Sequence, residues 1–210
     1  MNTTAPTSRT YGALQAAYDH FNEHLFGGEL SSCIITLQRH ARAYGYFSGD
    51  RFANTADAGE IRDEIALNPQ HFQTRTTEQT LSTLVHEMAH LWQHHHGKPP
   101  RRCYHNKEWA AKMIAVGLVP SDTGAPGGKT TGEKVSHYIA EAGPFALACA
   151  DFLAQHGAVL FSDRAGVQTA AKPKNTRTKY TCPGCQMNAW GKPSLQILCI
   201  ECDEQLEPEE

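Results

Sequence analysis

From Tyr11 the apolar residues Leu14, Tyr18, Phe21 and Leu25 recur at intervals of four and three, the stripe of one helical face. Gly27-Gly28 ends that helix, and residues 1–10 read as a flexible polar lead-in. Three short strand-like pieces follow. Leu30 to Arg39 alternates through Cys33, Ile35 and Leu37; Ala43 to Ser48 is aromatic and carries a glycine; Glu60 to Asn68 sets Ile61, Ile65 and Leu67 against charged neighbours. Alternation of this kind marks half-buried strands of one small antiparallel or mixed sheet. After Pro69, Thr76 with Gln79 three residues on forms a capping box, and Leu81, Leu84, Val85, Met88, Leu91 and Trp92 make a buried helical stripe ended by Gly97 and Pro99-Pro100. A further helix is expected from about Asn106 to Val116, ended by Gly117. Residues 121–132 form a glycine-rich loop. Residues 134–161 are expected to be helical in part, interrupted at Gly143-Pro144.

Composition adds two signals. The 210 residues include 12 His and 7 Cys. No apolar run reaches the roughly 18 residues of a membrane span, and the polar N-terminus lacks the apolar centre of a signal peptide, so a soluble cytoplasmic protein is expected. In that compartment closely spaced cysteines are read as metal ligands before disulfides. The net charge of −3 hides an asymmetry: residues 181–210 carry six acidic residues and one basic residue, Lys192, leaving the rest slightly positive.

The central motif is His86-Glu87-Met88-Ala89-His90, in phase with the apolar stripe. Positions i and i+4 of a helix lie about 40° apart and one turn along, so two imidazoles can grip one Zn²⁺ while the glutamate reaches a water as general base. Two histidines compete for the third ligand position. His96 sits ten after His86, the metzincin spacing, but that motif needs a glycine where this chain has Gln93. Without the turn, His94-His95-His96 reads as a solvated helix end. His105 follows the proline-opened loop KPPRRCYH, which can swing back to the pair.

Cys182-Pro-Gly-Cys185 and Cys199-Ile-Glu-Cys202, thirteen residues apart, form a four-thiolate zinc pattern whose metal would supply the folding energy of a module with few large apolar groups. Cys33, Cys103 and Cys149 are isolated and expected as small buried residues. Gly124 to Thr130 is one residue too short for a phosphate loop, so no nucleotide cofactor is expected. Tyr104 and the pair His137-Tyr138 are candidate hydrogen-bond donors to an oxyanion. Residues 98–112, with five basic residues and one acidic, and residues 172–179, with four basic residues, could contact nucleic-acid phosphates, aided by Trp190.

The segments YDHFNEHLFGGEL, YGYF, IALNP, TLVHEMAHLWQ and YHNKEWAAKM together resemble the SprT-like zinc metallopeptidases. The resemblance implies an α+β zincin-like domain over residues 11–120 and a C-terminal zinc ribbon; with the residues between and after them, the chain divides further into a loop and helical extension over 121–165, a basic linker over 166–179, and the ribbon with an acidic tail over 180–210. It implies a catalytic zinc on His86, His90 and His105 with Glu87 as general base, and a structural zinc on Cys182, Cys185, Cys199 and Cys202. His105 matches the family's third histidine, four before Trp109, although Tyr104 and Asn106 stand where the family has glycines. The implied activity is peptide-bond hydrolysis on proteins associated with or crosslinked to DNA, with a protein substrate, DNA as a partner and no membrane. The alternative is a non-proteolytic zinc-containing factor that binds DNA or a partner protein.

Overall fold

The computed structural model describes residues 5–57, 59–157, 161–165 and 177–209, so most of the expected basic linker lies outside the described residues. Two compact units divide the chain, Met1–Gly166 and Val167–Glu210.

In the first unit, helix α1 runs Pro6–Phe26. It starts five residues before the apolar period begins, within the stretch expected to be a lead-in. Proline tolerates the first turn because its missing N–H would find no intrahelical acceptor there, and the Thr10 hydroxyl donates back to the Pro6 carbonyl at 2.8 Å. Gly27 closes the helix in the left-handed conformation at φ 65°. The α1 stripe, with Leu14, Ala17, Tyr18 and Phe21 buried, packs on helix α4 (Pro144–His156), where the Phe21 ring lies 5.5 Å from Phe145 and 5.9 Å from Phe152.

Strands β1 (Ile34–Leu37), β2 (Gly45–Ala53) and β3 (Ile61–Leu67) form a mixed sheet in the order β1-β3-β2, with β1 parallel and β2 antiparallel to β3. Because β3 is central, its last five residues are all buried, Asp63 and Glu64 among them, while Ile61 at the strand's start is exposed. The expected apolar–charged alternation is overridden here. Burial of Glu64 is offset by the Thr36 hydroxyl, which donates to it at 2.7 Å. Pairing of β2 with β3 is irregular between Ser48 and Phe52, and Asp50 in that bulge has φ 51°.

Helix α2 (Thr77–His96) crosses the sheet and packs on the other helices. Both halves of its capping box form: Gln79 N–H donates to Thr76 Oγ1, and Thr76 N–H donates to Gln79 Oε1. Its buried hydroxyls are satisfied within the helix or its N-cap, Thr80 on the Thr76 carbonyl and Ser82 and Thr83 on that of Gln79. Gly45 lets β2 approach α2 closely, since a Cβ there would lie 2.8 Å from the Ala66 carbonyl oxygen and 2.9 Å from Thr83 Cγ2.

Helix α3 spans Lys107–Ala115, and β4 (Leu118–Ser121) pairs antiparallel with β5 (Ser136–Ile139) across the glycine-rich loop. The β5 segment falls where partial helix is expected; helix resumes only after Gly143, as α4. Of the isolated cysteines, Cys149 is buried and Cys33 half-buried, but Cys103 is exposed, at φ 63° in the turn before His105.

In the second unit β6 (Thr178–Thr181) lies between β7 (Asn188–Gly191) and β10 (Glu207–Pro208), so part of the acidic tail is strand. Strands β8 (Leu198–Cys199) and β9 (Glu204–Gln205) pair separately. The buried core of this unit is Tyr180, Cys182, Cys199 and Leu206. No helix among the described residues is long and apolar enough to cross a membrane.

Candidate metal centre

Helix α2 carries His86 and His90 on one face, and the chain returns to them through the loop after Gly97. Gln93, where a metzincin glycine would stand, is buried, and its side-chain amide donates to Asn106 Oδ1 at 2.8 Å and Glu108 Oε2 at 2.6 Å. The same Glu108 oxygen accepts from the Lys98 backbone amide at 2.7 Å. Gly97 is needed where the chain turns, since a Cβ there would lie 2.5 Å from that oxygen. Asn106 caps α3 by accepting from the Trp109 amide at 3.0 Å. The end of α2 and the start of α3 are thereby tied, and His105 is delivered beside the pair. Asn106, one of the two departures from the family's glycines, has a structural duty of its own.

One ligand atom each from His86, His90 and His105 lies within 4.8 Å of the others. His96 is exposed at the end of α2 and does not join them. The remaining two of the histidine triple are not simply solvated: His94 and His95 turn toward buried Asp63.

His105 is fixed twice by Gly132. Their backbones exchange hydrogen bonds, at 2.8 and 3.0 Å, and His105 Nδ1 lies 3.1 Å from the Gly132 carbonyl oxygen. The carbonyl can only accept, so Nδ1 carries the proton and Nε2 keeps a free lone pair. His86 is held likewise. Its Nδ1 lies 3.0 Å from His137 Nδ1, His137 Nε2 lies 2.9 Å from Ser82 Oγ, and the Ser82 hydroxyl donates to the Gln79 carbonyl at 2.9 Å. The serine proton is committed to that carbonyl, so His137 donates to serine and accepts from His86. His86 therefore also presents Nε2. Trp109, fully buried, walls the centre, with its ring 4.8 Å from His86, 5.0 Å from His90 and 4.3 Å from His105.

Electrostatics favour a cation. Burial pushes the His90 imidazole down to about 3. It takes His86 well below its ordinary value, helped by the neighbouring histidines and Arg75. Burial also lowers His105, against the Gly132 hydrogen bond. Three neutral imidazoles are what a dication needs. Glu87 is 5% exposed, and burial lifts its carboxyl from 4.5 to about 8, although the Phe47 backbone amide pulls the other way. The donor set thus fits Zn²⁺, with a carboxylate at hand.

Ser82 and Gly132 had no sequence signal as parts of this centre. Ser82 could have been found from its position one turn before His86 on the same face. His137 is occupied with His86 and Ser82, and Tyr104 packs under the Arg101 guanidinium 5.2 Å from its ring centre.

In the second unit, Cys182, Cys185, Cys199 and Cys202 bring their sulfurs within 4.8 Å of one another. Backbone amides of Cys185 and Gly184 lower the Cys182 thiol, while contact with the Cys185 sulfur pushes Cys202 up to about 12. Crowded thiols that cannot all ionise are relieved by a shared cation. At Gly184 a Cβ would lie 3.0 Å from Cys202 Sγ, so glycine keeps the cage open.

This is a mixed α+β protein whose central helix and returning loop assemble a candidate metal centre of the metallopeptidase kind. The SprT-like family model matches residues 14–128, more than half of the chain, and the chain belongs to the SprT-like family. A Salmonella typhimurium protein described as an uncharacterized protein in the mucB 3' region is 55% identical over 60 residues, which is 29% of this chain and 80% of that protein.

Proposed function

We propose that the chain is a zinc-dependent endopeptidase, with His86, His90 and His105 holding the catalytic ion and Glu87 as general base. The observation that carries this reading is the convergence of three neutral imidazoles beside a buried carboxylate that is not among them. Bound zinc would supply Lewis acidity, polarising the scissile carbonyl and acidifying water. Glu87 takes the proton from the attacking water and delivers it to the leaving amine. Positive charge nearby favours its ionised form, and the dry pocket keeps it basic enough to accept the proton. Gly132 and His137 orient two of the imidazoles, and Trp109 excludes water from behind them. A purely structural site has no use for Glu87, which separates the enzyme from the non-proteolytic alternative.

The four cysteines would hold a structural zinc. Around them Trp190, Leu198 and Ile200 are 63%, 59% and 92% exposed, a surface suited to docking a protein or stacking on bases. On that basis, and with the basic stretch after α2, the substrates are read as DNA-associated or DNA-crosslinked proteins. The test compares wild type with Glu87→Gln in casein cleavage and self-cleavage, with and without single-stranded DNA. Cleavage lost in the variant with its zinc retained supports the reading; equal cleavage refutes it.

A further inference from the structure

The last turn of α2 faces the bulge of β2 and the buried Asp63 of β3. There His95 Nε2 lies 2.6 Å from Asp63 Oδ2. His94 Nε2 lies 3.6 Å from Asp50 Oδ2 and 4.0 Å from Asp63 Oδ1. Asp63 is 4% exposed, and its Oδ1 accepts from the Asp50 backbone amide at 2.8 Å. That bond forms with Asp50 in the left-handed conformation, φ 51°, which aspartate tolerates better than most residues. Gly49 beside it admits the His94 ring, since a Cβ would lie 2.6 Å from His94 Cε1. A cavity of about 310 Å³, lined in part by Ser31, Ser32, Asp50, Asp63 and His95, opens beside the cluster. Arg62 also lines it, and its guanidinium is paired with Glu60 at 2.7 Å.

We propose that His94, His95 and Asp63, one ligand atom of each lying within 4.8 Å of the others, form a third metal site, for a borderline divalent transition ion such as Zn²⁺. Spacing argues for it. Ligands about 2.0–2.1 Å from a tetrahedral zinc lie about 3.3 Å from one another. The 4.0 Å separation of His94 from Asp63 is too long for a hydrogen bond and leaves room for an ion between them, while the 2.6 Å hydrogen bond of His95 to Asp63 would open to admit it. A simple ion pair would explain His95 with Asp63. It would leave unexplained why the backbone at Gly49 makes room for a second imidazole at the same place. Two imidazoles and one carboxylate suit zinc better than calcium or magnesium, which prefer all-oxygen shells. An ion here would clamp the end of α2 to the edge of the sheet, one turn beyond His90.

The test uses the full chain and Zn²⁺ alone. Bound zinc is measured after equilibrium dialysis for wild type, His94→Ala, His86→Ala and the double variant, with helical circular dichroism as the folding control. The expected result is one equivalent lost in each single variant and two in the double. Equal zinc in wild type and His94→Ala would overturn the site. A second measurement leaves the protein unaltered. With two equivalents of zinc already bound, added Co²⁺ should broaden the His94 and His95 ring signals in the NMR spectrum. Unbroadened rings would also overturn it.

Discussion

Glu87→Gln separates what folding prefers from what catalysis needs. In the metal-free protein, burial lifts the Glu87 carboxyl from 4.5 to about 8. A carboxyl raised on folding binds more protons in the folded than in the unfolded state. Its cost is therefore absent well below pH 4.5, grows as pH rises, and is complete above about pH 8. At 1.36 kcal/mol per pKa unit the ceiling is about 5 kcal/mol. Worked through the linkage relation, the cost is about 1 kcal/mol at pH 5, about 3 at pH 7 and about 4 at pH 8. Glutamine keeps the shape and the acceptor for the Phe47 amide but has no charge to bury. The chelator-treated variant should therefore be more stable than wild type by an amount that widens with pH. Urea unfolding followed at 222 nm reads this cleanly, because the four α-helices among the described residues lie in the first unit. The zinc-loaded variant should lose roughly 10²–10⁴-fold in hydrolysis. A stability difference constant from pH 5 to pH 8, or of the opposite sign, would refute the buried-carboxylate argument.

His105→Ala should weaken zinc at the histidine centre by orders of magnitude in chelator competition, whereas His96→Ala should change stability by no more than about 0.5 kcal/mol; the reverse pattern would move the third ligand to His96. His137→Phe removes the acceptor for His86 Nδ1 and should weaken zinc about 10–100-fold, with unchanged affinity counting against the orienting role. Cys185→Ser, or chelation, should collapse the NMR dispersion of residues 177–209 while the helical signal persists. A ribbon that stays folded without metal would contradict its reliance on zinc.

Helix α2 and the cysteine cage were legible because their signals are local: a capping box, a 3.6-residue period, two short cysteine spacings. The start of α1 was not, since the segment Pro6 to Thr10 has no apolar stripe and the helix is set there by proline and a threonine back-bond. Burial of Asp63 and Glu64 follows from the central place of β3, a tertiary fact that alternation cannot express. Strand β5 is four residues long and finds its partner across the glycine-rich loop. The pairing of His137 with His86 spans fifty-one positions and leaves no periodic trace. His105 was reachable from the missing glycine at position 93 together with the family motif. Its bracing by Gly132 needed coordinates.

Trp109 gives the histidine centre an optical signature of its own. Its indole touches all three imidazoles, and its Nε1 is buried without a hydrogen-bond partner. Such an indole emits toward the blue, and its emission responds to charge at the neighbouring rings. Trp92 is half-buried and Trp190 exposed, so subtracting the spectrum of Trp109→Phe isolates the interior signal. Zinc entering this centre could then be followed in real time with unlabelled protein, apart from filling of the cysteine cage.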